Sequence, residues 1–349
     1  MPIHYSRCHV PTPLGIASQR GWLAETVRQH GQELVALRDI DDPAVRRSHY
    51  DHSQEDSIRQ GGSTPAIWAR SQGADTVVIG LTWTDEFQGI LTLRSSGIRT
   101  PADLKGRRLG LPRRPQDRIV DFGRAQSERG FHGALRAAGL TPADAVFVDV
   151  DLPTTILDDP NAATRHRPAG EAAPRSNPLE DALREGRVDA IYVKGGGVSA
   201  VQRLDAQVVI DLGQHPEAAV RANNGTPRPI TVDRHLLTTK PELVRDLLEK
   251  AVIAGTWAAG APTEGLAAVS AETGIAVTAL ERAYGPDLAR HLSVDLAPET
   301  VAGFADYVGW LHRAGYLPEA VDVASWIDAR PLADVQRRLH RRLHAAGNP

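Results

Sequence analysis

Thiols are almost missing from this sequence: Cys8 is the one cysteine in 349 residues. A lone thiol excludes an internal disulfide and leaves too few sulfur ligands for a structural zinc site. Aromatic residues are scarce at 5%, so any stacking pocket has to be assembled from scattered positions. Neither sign of charge dominates. A formal net charge of −3 supplies no strong field for nucleic acid or an anionic membrane. Long apolar runs are also lacking. The most apolar stretch, 251–268, is Ala-rich but broken by Thr, Pro and Glu, and it reads as a soluble helix pair rather than a span. Residues 1–6 show neither a basic n-region nor an apolar h-region, so no secretory signal is expected. With one unpaired thiol, the expected compartment is the cytoplasm. The expected state is a monomer without membrane or nucleic-acid partners.

What is present is an alternation of strand-like and helix-like segments over the first two-thirds of the chain, followed by helices to the end. That order indicates α/β layering with largely parallel sheets. Strands are expected at 3–10, 33–37, 76–83, 88–94, 107–111, 145–150, 188–193, 207–211 and 229–233. Helices are expected at 15–29, 65–71, 118–138, 178–185, 241–260, 263–272, 276–284, 298–314 and 332–345. The length suits two lobes: 1–94 with 210–349 as a discontinuous first lobe, and 95–209 as the second. Residues 153–177 lack periodicity and read as a loop, a possible lid by composition. In the last helix Val335, Leu339 and Leu343 form an apolar stripe. Arg337, Arg338, Arg341 and Arg342 around it read as a solvated face. Two α/β lobes joined by two crossings, with a helical C-terminal extension on the first, describe a two-lobed periplasmic-binding-protein-like (type II) fold. Ligands in such folds sit at the carboxyl ends of strands, between the lobes.

Cys8 ends the first expected strand, in Tyr5-Ser6-Arg7-Cys8-His9-Val10-Pro11, and so faces that cleft. Two readings stand side by side: a small buried hydrophobe, or a nucleophile or proton donor at the mouth of a site. His49-Tyr50-Asp51-His52 suggests a metal, yet two imidazoles with no clear third ligand argue against one. Arg59 alone reads as an ion-pair residue, and Gly61-Gly62 alone as a turn. His9 alternates away from Cys8 on a strand and reads as structural, with a partnership to the thiol as the alternative.

Taken together, Tyr5-Ser6-Arg7-Cys8-His9-Val10-Pro11, His49 and Arg59-Gln60-Gly61-Gly62 resemble the 2′-hydroxybiphenyl-2-sulfinate desulfinase family. The likeness continues through Gly186-Arg187-Val188-Asp189-Ala190-Ile191-Tyr192, Val209-Ile210-Asp211-Leu212-Gly213, Tyr284-Gly285 and Trp326. It implies cofactor-independent, metal-free hydrolysis of a C–S bond, turning a sulfinate into sulfite and a desulfinated product. By position it implies Cys8 as the catalytic thiol, His49 as its partner and Arg59 as the anchor of the sulfinate oxygens. Gly61 and Gly62 stand at the same place, Gly62 offering a backbone N–H.

These residue types suit that chemistry. A guanidinium presents paired N–H donors matched to two sulfinate oxygens. Amides in a Gly-Gly turn approach closely because no Cβ intervenes. The thiol has two candidate jobs, attack on sulfur or protonation of the carbon that loses it, and His49 serves either.

The sequence departs from the biphenyl-accepting members where they carry tryptophans. Val193-Lys194-Gly195-Gly196-Gly197-Val198 replaces one such stretch, and Gln126 stands at another. Tyr50 keeps an aromatic beside His49. With Arg118 in a basic loop, Lys194 and Gly195 point to a more polar pocket and a substrate with a second anionic or hydrogen-bonding group. Two rival readings share the fold: a non-catalytic small-anion binding protein, and a different Cys-dependent C–S lyase or hydrolase.

Overall fold

The computed structural model describes residues 2–115, 119–157 and 177–346. Two five-stranded mixed sheets build a two-lobed periplasmic-binding-protein type II fold. The first sheet uses β1 (Ile3–Arg7), β2 (Leu34–Ala36), β3 (Ser57–Gln60), β4 (Thr76–Thr82) and β10 (Arg228–Asp233), in the order β2-β1-β3-β10-β4. The second uses β5 (Gln88–Leu93), β6 (Arg108–Arg113), β7 (Val146–Asp151), β8 (Ala190–Lys194) and β9 (Ala206–Asp211), in the order β7-β6-β8-β5-β9. The chain passes between the sheets twice, in 83–87 and in 212–227.

Those crossings explain why the sheets are mixed rather than parallel. β10, returning from the second sheet, inserts antiparallel between β3 and β4. β5, arriving from the first, runs antiparallel to β8 and β9. β5 therefore hydrogen-bonds wholly within the second sheet, although a lobe boundary at residue 94 assigns it to the first. The antiparallel entry has a geometric result: the start of β10 lies at the same sheet edge as the ends of β1 and β3.

β4 is buried along its whole length, as a strand covered on both faces should be. One face packs Ile3, Tyr5, Ile58, Ile79 and Ile230 against the helices Pro241–Gly260 and Pro262–Thr273. The other packs Val78 and Leu81 against Phe304, Tyr307 and Trp326. The helical extension thus belongs to the first sheet, with Leu332 and Val335 of Arg330–Ala346 in that core. Arg338 and Arg342 there are ion-paired, to Asp246 (2.8 Å) and Glu249 (2.5 Å), rather than purely solvated.

Three local features depart from expectation. The helix expected over 15–29 is two, α1 (Pro13–Gln19) and α2 (Trp22–Gln29), because Gly21 turns into the left-handed region at φ 76°. A helix α3 (Pro43–Asp51) and the strand β3 occupy stretches with no expected element. α4 (Ser63–Ser71) follows β3 directly, and α5 (Phe122–Ala137) is the long helix of the second lobe. The loop expected at 153–177 lies mostly outside the described residues, as does Arg118.

Candidate active site

β1 and β3 pair in parallel with Ser6 beside Arg59, so the segments that follow them leave the sheet side by side. Cys8 follows β1, its N–H reaching the Gln60 carbonyl at 3.4 Å. Arg7 secures the end of β1 by pairing with buried Glu272 and donating to the Glu272 carbonyl at 2.7 Å. Gly61 and Gly62 follow β3, and Gly62 caps α4. A Cβ on Gly61 would lie 2.5 Å from Cys8 Sγ, and one on Gly62 would lie 2.6 Å from Asn224 Oδ1. The turn therefore needs glycine at both positions for want of space, not for backbone strain.

α3 starts at Asp42, whose side chain accepts from the Ala44 N–H, with Pro43 in the first turn. Its last turn brings His49 over the thiol. His49 Nε2 lies 3.3 Å from Cys8 Sγ, and Nδ1 lies 2.6 Å from Ser6 Oγ. The ring is 1% exposed. Burial holds the imidazole well below its ordinary value, and the Arg59 guanidinium pushes the same way. Both influences favour the uncharged ring.

Arg59 is equally enclosed. Its Nε donates to the His49 carbonyl at 2.9 Å and its Nη2 to the Gly62 carbonyl at 3.1 Å. Nη2 also approaches Cys8 Sγ at 3.9 Å, while Nη1 is buried without a hydrogen-bond partner. Desolvation pulls the guanidinium down from its usual value, opposed by Cys8 and Tyr50. The Gly62 N–H points at Sγ from 3.4 Å. Sulfur, imidazole, guanidinium and a glycine amide thus converge from three separate segments.

The remaining expected residues fall into two groups. Tyr50 packs edge-on to His49 and stacks on Phe122, within a buried apolar cluster with Ile119 and Ile156. This apolar wall beside His49 is not foreshadowed by the basic loop near it. Gln126 reaches back from α5, its Oε1 accepting from Asn224 Nδ2 at 3.2 Å. Lys194 pairs with Glu86 at 2.8 Å and donates to the Asn224 carbonyl. Gly195 adopts φ 49°, and its N–H donates to the Phe87 carbonyl at 2.8 Å; that amide is committed within the protein. His52 ends α3 in a left-handed conformation, half-buried with its Nε2 enclosed, and desolvation holds it low. Among the described residues no group of three or more His, Cys, Asp or Glu side chains could hold a metal ion. Ser6, Asn224 and Glu86 are not foreshadowed by the sequence, because their partners His49, Gly62 and Lys194 are brought to them only by the folded chain.

The chain is similar to known proteins over most of its length. The 2′-hydroxybiphenyl-2-sulfinate desulfinase of Rhodococcus erythropolis is 25% identical over 345 residues, covering 92% of this chain and 90% of the relative. That of Rhodococcus qingshengii matches to the same extent. The resemblance to these desulfinases thus takes in most of the chain. A family model described as NMT1/THI5 like matches residues 61–159. Among solved structures, a mutant of DSZB in complex with biphenyl-2-sulfinic acid superposes with a TM-score of 0.70 at 24% identity, covering 97% of this chain and 99% of that one. The periplasmic aliphatic sulphonate binding protein SsuA from Escherichia coli gives 0.66 at 16% identity, covering 94% and 92%. The fold is therefore shared by desulfinase-like and sulfonate-binding-like proteins. No helix among the described residues is long and apolar enough to cross a membrane.

Proposed function

We propose that the protein is a desulfinase that hydrolyses the C–S bond of a small organic sulfinate and releases sulfite. One observation carries this reading: the chain's lone thiol stands 3.3 Å from a buried imidazole and 3.4 Å from a glycine N–H, beside a buried Arg59 with Nη1 unpartnered. A binder of sulfonate-like anions has use for the guanidinium and the amide. It has none for a thiol with a proton acceptor.

In this mechanism Arg59 Nη1 holds the sulfinate oxygens and stabilises charge that grows on them, while the Gly62 N–H, directed at Sγ, favours the thiolate. Two routes balance. In the first, His49 Nε2 takes the Cys8 proton and Sγ attacks the substrate sulfur. The C–S bond breaks, carbon takes the proton, and Cys–S–SO2⁻ remains; water then restores the thiol and frees bisulfite. In the second, Cys8 delivers its proton to the carbon bearing sulfur, SO2 departs, and water converts it to bisulfite while releasing a proton that resets the thiol. Neither route needs a cofactor or a change of oxidation state at the protein. Ser6 serves both: its hydroxyl accepts from Nδ1–H when Nε2 acts as base, and donates to Nδ1 when Nε2 carries the proton. A thiol that must stay reduced suits the cytoplasm.

The test is incubation of the full chain with arylsulfinates and an assay for free sulfite. Sulfite release by the parent protein, lost in Cys8→Ser while affinity persists, supports the proposal. Tight binding with no sulfite from either protein favours the second reading, a non-catalytic anion binder, to which the likeness to SsuA gives weight.

A further inference from the structure

A second buried cation stands at the same edge of the first sheet and takes no part in the thiol site. Arg228 opens β10, paired with Thr82 at the end of β4, and it is 0% exposed. Its Nε, Nη1 and Nη2 are all buried without a hydrogen-bond partner. Its nearest carboxylate is Glu86, at 3.5 Å from Nη2, and its guanidinium lies 5.7 Å from the Tyr284 ring centroid. Glu86, 2% exposed, is already engaged by Lys194 at 2.8 Å and by the Tyr284 hydroxyl. Two cations thus share one carboxylate.

Buried guanidinium donors without acceptors are costly, and an interior with surplus positive charge is a ready site for an anion. The backbone passes close against this group. Gly225 sits at φ 108°, and a Cβ there would lie 2.7 Å from Glu86 Oε1 and 2.9 Å from Lys194 Nζ. Asn224 ties the cluster to the thiol site. Its carbonyl accepts from Lys194, while its Oδ1 accepts from the Thr64 N–H at 3.1 Å and faces Gly62. Asn224 therefore touches both the Gly62 turn of the thiol site and the Lys194 side of this cluster.

We propose that Arg228 is a specificity-determining residue that receives a carboxylate carried by the sulfinate substrate, with the Lys194–Glu86 pair fixing its charge. The inference rests on the desulfinase reading for the identity of the substrate's other end, and it names the substrate class as carboxylate-bearing sulfinates.

The probes are benzenesulfinate and the isomeric sulfinobenzoates, measured with the full chain for binding by calorimetry and for sulfite release. The expected result is at least one sulfinobenzoate binding roughly tenfold tighter than benzenesulfinate, as a charge-assisted contact warrants. In Arg228→Met that ratio collapses towards one. Equal affinities in the parent protein overturn the proposal, and so does a preference that survives in the variant. Should the variant fail to fold, the parent's preference still decides, together with Lys194→Met, where the uncovered Glu86 should weaken sulfinobenzoates more than benzenesulfinate. Equal weakening of both ligands overturns the proposal. An Arg228-dependent preference with no sulfite from any probe upholds this subsite and rejects the desulfinase.

Discussion

Ser6 Oγ sits 2.6 Å from His49 Nδ1, leaving Nε2 to face Cys8 at 3.3 Å. The serine touches no reacting atom, so its effect passes through the ring. Ser6→Ala leaves a buried nitrogen unsatisfied, worth about 1–3 kcal/mol. We expect kcat for sulfite release to fall about tenfold with KM nearly unchanged, and the pH–rate profile to move. A kcat indistinguishable from the parent's would remove Ser6 from the mechanism.

Gly61→Ala tests the shape of the turn. The new Cβ would lie 2.5 Å from Cys8 Sγ, so either the sulfur or the turn must shift. A displacement near 1 Å at a reacting atom costs about a hundredfold in rate. We expect that loss in kcat/KM with an unaltered circular dichroism spectrum. Full activity would show that the thiol has freedom the structure denies it.

Arg59→Lys keeps a charge and loses the fork. Arg59 spends Nε and Nη2 on the His49 and Gly62 carbonyls, and one ammonium cannot replace both while also holding sulfinate oxygens. KM should rise about tenfold or more, at roughly 1.5–3 kcal/mol for hydrogen bonds to a charged group. Isothermal titration with the Cys8→Ser protein separates this loss of binding from any loss of chemistry. An affinity equal to that with arginine would reject the anchor role.

Stability should fall in acid. Burial holds His49 and His52 well below the usual value of 6.5, so the unfolded chain binds protons that the folded one refuses. Their contribution is complete above about pH 6.5 and is lost as the pH drops, by about 1.4 kcal/mol per pH unit for each histidine. Urea midpoints taken between about pH 7.5 and 5.5 should decline, and His52→Gln should flatten part of the slope. A flat curve in the parent protein would contradict the desolvation of these two rings.

Much of this architecture is legible in the residues. The helix Pro241–Gly260 begins at a proline and ends where a glycine stands, and its expected range matches. Cys8 stands where an α/β order puts it, at the end of the first strand. The elements carrying His49 and Arg59 are not legible. α3 has Arg46, Arg47, Ser48 and Asp51 within nine residues, which blurs an apolar face, although Asp42-Pro43 announces its start. β3 has four residues, too few for alternation to register. Asn224, Glu86 and Arg228 lie on or beside the chain crossings, and only the return of β10 into the first sheet gathers them.

The solitary thiol gives the molecule a single chemical address. Cys8 is partly accessible, so a mass tag or a fluorophore attached through sulfur lands in the cleft without any background cysteines to remove. Labelling speed, read with and without a candidate ligand, then becomes a direct gauge of occupancy, and the unmodified chain serves as its own reporter.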